Sequence, residues 1–222
     1  MIAIDGPSGV GKSTVSRLIA KHYGYKYVDT GAMYRAFAIG AKNSGIDTQS
    51  DEAIEKFSKT VEIRFEDSKD LELAGPKIFF NNEDFTSLIR TPLATKLSSL
   101  VSTKKSTRDY LTHLQRNMAT QGSLVMEGRD IGTVVFPDAD IKIFLDASEE
   151  VRAQRRSSDT EQRVSEELGQ VQKELRERDE RDKNRKHAPL ETAKDAVLID
   201  TGKLSIKEVT EKIIEAFDER LK

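Results

Sequence analysis

The stretch Gly6-Pro7-Ser8-Gly9-Val10-Gly11-Lys12-Ser13-Thr14 constrains this chain more than any other. Gly6-x-x-x-x-Gly11-Lys12-Ser13 is the complete phosphate-loop spacing. Met1-Ile2-Ala3-Ile4-Asp5 ahead of it reads as a short buried strand. Behind it, Val15, Leu18, Ile19 and His22 recur with the period of an amphipathic helix. Between a strand and a helix, such glycines let successive backbone N–H groups turn inward around phosphate oxygens, at the positive end of the helix. Lys12 is placed to reach the β- and γ-phosphates, and the Ser13 hydroxyl to ligate Mg²⁺. Residues 6–14 are therefore expected to hold a nucleoside triphosphate with its Mg²⁺. The plainer alternative, an ordinary glycine-rich turn, is disfavoured by the full pattern and both flanks.

Further short apolar runs occur at residues 25–28, 124–126, 141–145 and 197–199, most of them separated by helix-length segments. Buried strands alternating with helices describe an α/β chain whose parallel sheet is covered on both faces. Ser205-Ile206-Lys207-Glu208 is a capping box, and Ile206, Val209, Ile213, Ile214 and Phe217 form one stripe on the helix it opens.

Two regions break this rhythm. Within residues 61–80 the pattern alternates, in runs at 61–65, 71–73 and 77–80, with Gly75-Pro76 and Asn81-Asn82 supplying turns. A small antiparallel sheet inserted into the α/β core is expected there. Residues 149–186 carry 11 basic and 11 acidic side chains. That region reads as a helical arm laced with i,i+4 pairs, without strands.

Composition removes other classes. A chain of 222 residues suits one large domain with small insertions. Lys+Arg 36 against Asp+Glu 38 argues against a protein that coats nucleic acid or an anionic membrane. With no cysteine there is no disulfide framework, thiolate metal site or cysteine nucleophile, and three histidines leave little for a histidine-rich one. No 18-residue apolar run exists and the apolar start reaches Asp5 at once, so neither a membrane span nor a signal peptide is expected. The expectation is a cytoplasmic monomer.

A phosphate loop serves switches and motors, where water is the acceptor, or kinases, where a second small molecule is. No aspartate here has glycine three residues on, and Asn-Lys-x-Asp does not occur, which argues against a GTPase switch. Balanced charge and few aromatics argue against an RNA-binding regulator. A kinase needs cations aimed at a second anionic substrate. Asp29-Thr30-Gly31-Ala32-Met33-Tyr34-Arg35 follows the second strand and Glu127-Gly128-Arg129-Asp130 the third, both at carboxyl ends where open α/β sheets bind ligands. Arg178-Asp179-Glu180-Arg181-Asp182-Lys183-Asn184-Arg185 closes the charged arm. Taken singly, each arginine reads as a surface salt-bridge former; the shared edge raises the functional reading.

Together with the phosphate loop, these motifs, the run from Gly128 through Ile131-Gly132-Thr133-Val134-Val135-Phe136-Pro137 and the inserted sheet with its exit at residues 81–92 resemble the bacterial cytidylate kinases over essentially the whole chain. The resemblance implies the nucleoside monophosphate (NMP) kinase fold: a five-stranded parallel core sheet flanked by helices, an NMP-binding insert enlarged by a small antiparallel sheet, and a short helical lid. It divides the chain into a core (1–30, 99–150 and 178–222), an NMP-binding domain (31–98, with the sheet at about 61–80) and a lid and arm (151–177). It implies that Arg35, Arg129 and Arg185 grip the phosphate of CMP, with Thr30 keeping the hydroxyl of a usual serine. Ser99, Arg108 and Asp130 would read cytosine, and Arg178 with Asp182 would hold the ribose hydroxyls. Arg152, Arg155, Arg156 and Arg163 would lie in or near the lid over the triphosphate. Lys12, Arg129, Arg185, Arg155 and Arg156 would then be the catalytic cations. The implied activity is transfer of the γ-phosphoryl group of MgATP to CMP or dCMP. A phosphate-loop kinase for UMP, dTMP or a non-nucleotide acceptor is the alternative, and a partner for the charged arm stays open.

Overall fold

The computed structural model describes residues 1–66, 75–120, 122–158 and 168–221. In chain order the elements are β1 (Ile2–Asp5), α1 (Lys12–Tyr23), β2 (Lys26–Asp29), α2 (Thr30–Asn43), α3 (Asp51–Ser58), β3 (Ile63–Glu66), β4 (Lys77–Phe80) and β5 (Glu83–Asp84). Then come α4 (Pro92–Val101), α5 (Lys105–Ala119), β6 (Leu124–Gly128), β7 (Ile141–Asp146), α6 (Glu149–Ser158), α7 (Leu168–Asn184), β8 (Val197–Asp200) and α8 (Ile206–Arg220). Short helical turns at Leu88–Arg90 and Ile131–Val135 complete the set.

Five strands form one parallel sheet in the order β2-β6-β1-β7-β8. The five apolar runs predict all five of its strands. The period of 2 sorts the central side chains by face. Ala3, Leu124 and Met126 pack with α2, α4 and α5, whereas Ile2, Ile4 and Val125 pack with α1 and α8. In the α8 stripe, Val209, Ile213 and Phe217 are buried, but Ile206 is 53% exposed. It occupies the first helical position, beside the Ser205–Glu208 capping box, outside the packed face. Among the described residues no helix is long and apolar enough to cross a membrane.

Register places acidic strand ends at one edge of the sheet: Asp5 lies beside Gly128 and Phe144, Asp29 beside Glu127, and Asp146 beside Asp200. The phosphate loop and the 128–132 segment leave from this edge.

The inserted sheet is antiparallel, in the order β3-β4-β5. The expected run at residues 71–73 lies outside the described residues; on the side of β4 away from β3 the described partner is Glu83–Asp84, which the alternation did not mark. Asn81 and Asn82 adopt φ of 47° and 67°, the left-handed pair a two-residue hairpin turn demands and asparagine tolerates. They fold β5 back on β4 instead of ending the sheet. Phe80 stacks on Phe85 and Phe57 at 5.0 and 6.1 Å and sits over Gly40 of α2, which joins the insert to the core.

The charged arm is helical, as its composition predicts, in α6 and α7. The apolar cluster between them is small, made of Ala153, Val171 and Leu175 among the described residues. Polar contacts to the phosphate loop supplement it.

Candidate active site

The loop between β1 and α1 is shaped by its glycines. Gly6, Gly9 and Gly11 have φ of 147°, 85° and 93°. At Gly6 a Cβ would stand 2.1 Å from the Leu145 carbonyl oxygen, so that position excludes any side chain. Gly11 caps α1 without a side-chain acceptor, leaving the first amides of the helix for an anion. The buried Lys12 ammonium folds back on its own loop, donating to the carbonyls of Gly6 (2.8 Å) and Pro7 (2.6 Å). Burial first, and the nearby Arg129 second, push it down to about 7. A phosphate group would relieve both causes. Ser13, exposed on the first turn, hydrogen-bonds the buried Glu127 carboxylate, which also accepts from Tyr27. Burial and then Asp29 hold Glu127 above the usual carboxylate range.

Opposite the loop the structure gathers most of the expected arginines. Asp130 accepts from Arg108 and, at 3.3 Å, from Arg185; both arginines and the aspartate are buried. Asp182 accepts from Arg129 at 3.0 Å and pairs with Arg185 at 3.6 Å. Burial opposes ionisation of Asp182, but Arg129, Arg178 and Arg185 keep its carboxyl low. Arg178 reaches the Ser8 hydroxyl at 3.4 Å, which brings the cluster to the phosphate loop. Its guanidinium is pushed down to about 9 by burial, then by Arg129. Arg178 Nε and the Tyr34 hydroxyl are buried without a hydrogen-bond partner. Orphaned donors within a surplus of cations fit an anionic, hydrogen-bonding ligand.

Arg35 pairs with Asp29 at 2.9 Å, and Asp29 also caps α2 through the Ala32 amide. Thr30 donates to the Glu127 carbonyl at 2.7 Å. The buried Ser99 hydroxyl accepts from Arg181 at 3.1 Å. Next to Arg181 and Arg185 a cleft of about 500 Å³ opens, lined also by Thr103, Glu177, Glu180 and Asn184.

The arm arginines fall into different places. Arg152 is buried under the phosphate loop, donating to the Ser8 and Ala147 carbonyls and pairing with Asp179. Arg155 donates to the hydroxyl (2.9 Å) and carbonyl (2.7 Å) of Thr201. Arg156 lies near enough to Arg178 to disfavour its charge. Arg163 lies outside the described residues.

Sequence reasoning found most of the cations and missed Arg181, together with the acidic residues that support the site: Asp5, Asp29 as the partner of Arg35, Glu127 and Asp179. The visible signal was their position, since Asp5, Asp29 and Glu127 each stand at the end of an apolar run that leads to the ligand edge.

A phosphate loop at the centre of a parallel sheet, facing a cluster of arginines paired with carboxylates, defines a phosphate-loop phosphotransferase. The family model for cytidylate kinase matches residues 2–219. A cytidylate kinase of Ligilactobacillus salivarius is 46% identical over 220 residues, spanning 99% of this chain and 96% of that protein. One from Geobacter sulfurreducens is 44% identical over 221 residues, spanning 99% and 93%. Among solved structures, an uncharacterized protein from Eubacterium ventriosum is similar in fold alone, with a TM-score of 0.55 at 15% identity over 98% of this chain and 97% of that one. The chain belongs to the cytidylate kinase family, and is thereby a kinase with ATP as phosphate donor and a nucleotide as acceptor.

Proposed function

We propose that this enzyme transfers the γ-phosphoryl group of MgATP to CMP, and to dCMP, giving ADP and the corresponding diphosphate. The observation that carries the reading is the cluster of Arg108, Arg129, Arg178 and Arg185 around Asp130 and Asp182, opposite the phosphate loop.

In this reading residues 6–14 hold the triphosphate. Lys12 leaves its loop carbonyls for the β- and γ-phosphates. A magnesium ion fits the hard oxygens of Ser13 and, behind it, Glu127, and the absence of a cluster of three ligating side chains among the described residues suits an ion held largely by phosphate and water. When bound, the ion supplies charge neutralisation at the β- and γ-oxygens. Arg35, Arg129 and Arg185 take the phosphate of CMP, with Thr30 beside them. Arg178 and Asp182 hold the ribose hydroxyls. Asp130 accepts from the cytosine amino group, and Arg108 and Ser99 face the ring nitrogen and carbonyl. Uracil would set its O4 against the Asp130 carboxylate.

The acceptor oxygen is already ionised, so no side-chain nucleophile is needed. An oxygen of the CMP phosphate forms a bond to the γ-phosphorus as the bond from that phosphorus to the β,γ-bridging oxygen breaks, and ADP leaves with the bridging oxygen and its electron pair. Catalysis comes from in-line positioning and from cations that meet the charge on the transferring group. The division is core at 1–30, 99–150 and 178–222, NMP-binding domain at 31–98, and lid at 151–177. Lid closure brings Arg156, and Arg155 released from Thr201, over the triphosphate and excludes water. The protein works as a cytoplasmic monomer on small nucleotides.

Measuring ADP formation from ATP with CMP, dCMP, UMP, dTMP and AMP tests the reading. CMP is expected to give the highest kcat/KM; turnover with CMP no better than with AMP would overturn it.

A further inference from the structure

Asp130 is the N-cap residue of the turn Ile131–Val135, yet its carboxylate makes no capping bond. An aspartate at that position ordinarily accepts from the amides of the turn it opens. Here the side chain is turned away, to Arg108 and Arg185. The freed amides are taken by another carboxylate, far away in sequence. Ile131 N–H donates to Asp5 Oδ1 at 2.9 Å and Gly132 N–H to Asp5 Oδ2 at 2.7 Å. Asp5 ends β1, immediately before Gly6, and is 4% exposed. Among the described residues it makes no ion pair, and burial pushes its carboxyl up to about 6. Lys12 acts on it only at a distance, and a buried carboxylate without a direct ion pair is a costly way to cap a turn that already has an aspartate in place.

We propose that Asp5 is a positioning residue for base recognition: it caps the Ile131–Val135 turn in place of Asp130, and so leaves the Asp130 carboxylate for the substrate. This rests on the reading of Asp130 as the carboxylate that faces cytosine. With Asp5 removed, the amides of Ile131 and Gly132 are left to Asp130, which caps its own turn and withdraws from Arg108 and Arg185. The same bonds join β1 to the loop that carries Arg129, so the triphosphate and monophosphate sites share one support.

Asp5→Asn keeps the shape of the side chain but offers a single acceptor, its amide opposing the second N–H. The expected result is ~10-fold loss of preference for CMP over UMP, the scale of one misplaced hydrogen bond, mostly through KM for CMP and with little change in KM for ATP. In the Asp130→Asn background the same substitution is expected to leave the CMP/UMP ratio where Asp130→Asn alone sets it. An equal effect of Asp5→Asn in both backgrounds, or a fall in kcat with the ratio intact, overturns the proposal. If Asp130→Asn itself leaves the ratio unchanged, the underlying reading falls and this proposal with it. If Asp130→Asn moves the ratio and Asp5→Asn does not, the role of Asp5 alone is rejected. Should Asp5→Asn not fold, Asp5→Ser, which removes the buried charge and keeps a hydroxyl acceptor, is measured in the same two backgrounds.

Discussion

Arg152 and Asp179 meet in an ion pair beneath the phosphate loop, and Ser8 is held by both, its carbonyl accepting from Arg152 at 3.1 Å and its amide donating to Asp179 at 3.4 Å. Arg152 begins the arm on α6 and Asp179 lies on α7. Two helices with little apolar area between them are thus fastened to the loop that holds the triphosphate. The pair supports the loop, with Arg152 Nε and one terminal nitrogen hydrogen-bonded to two carbonyls and to Asp179.

Arg152→Met is therefore expected to destabilise the protein by about 3–5 kcal/mol, because it leaves Asp179 buried and uncompensated. Replacing both members, Arg152→Met with Asp179→Leu, should be milder than the sum of the single changes. Denaturant unfolding of the four proteins measures this, and additive losses would show that the two side chains do not act as a pair.

Gly40 marks where the insert is packed to the limit. A Cβ there would meet the Phe80 ring at 2.2 Å, and Phe80 is itself stacked on Phe57 and Phe85. Gly40→Ala is expected to lower stability by about 1–3 kcal/mol through overpacking, despite alanine's better helix propensity. A thermal midpoint at or above that of the parent protein would show that Phe80 can move aside.

Asp130→Asn should erode the preference for CMP over UMP by ~10-fold or more, because a carboxylate accepts from an amino group and an amide can also donate to O4. KM for ATP should hardly move, since Asp130 touches Arg108 and Arg185 and not the phosphate loop. Steady-state kinetics with both monophosphates decides; an unchanged ratio removes Asp130 from base reading.

Much of this was legible in the sequence, for physical reasons. A phosphate loop needs glycines at fixed places, and Gly6 shows why, with no room for a Cβ against Leu145. Buried parallel strands are apolar on both faces, so the five runs stood out. The strand β5 did not, because Glu83–Asp84 has only two exposed residues and carries no alternation. The support of the site was hidden for another reason. Asp5 meets Ile131 across 126 residues and Ser8 meets Asp179 across 171, and no local pattern encodes such pairings. Arginines can be guessed from motifs, but which carboxylate aims each one is a property of the folded sheet edge.

Lys12 gives the prediction that joins stability to chemistry. Its ammonium is buried, faces the like charges of Arg129 and Arg178, and is held by two carbonyls. Lys12→Met should reduce phosphoryl transfer by on the order of 10³-fold or more while leaving a folded protein. Near-normal turnover would remove Lys12 from the reaction. The pH dependence of stability has a definite sign. The folded-state value is depressed from 10.5 to about 7, so between those limits the unfolded chain binds more protons. Relative to Lys12→Met, the protein should therefore gain stability as pH rises through this window, by at most about 1.4 kcal/mol per pH unit, with the penalty fully present below pH 7. Saturating ATP should flatten the difference, because the phosphates restore the charged form of the ammonium. Denaturation midpoints of both proteins from pH 6.5 to 9.5, with and without ATP, measure it. A slope of the opposite sign, or one that ATP leaves untouched, would mean that this lysine is not the cation the triphosphate is built to meet.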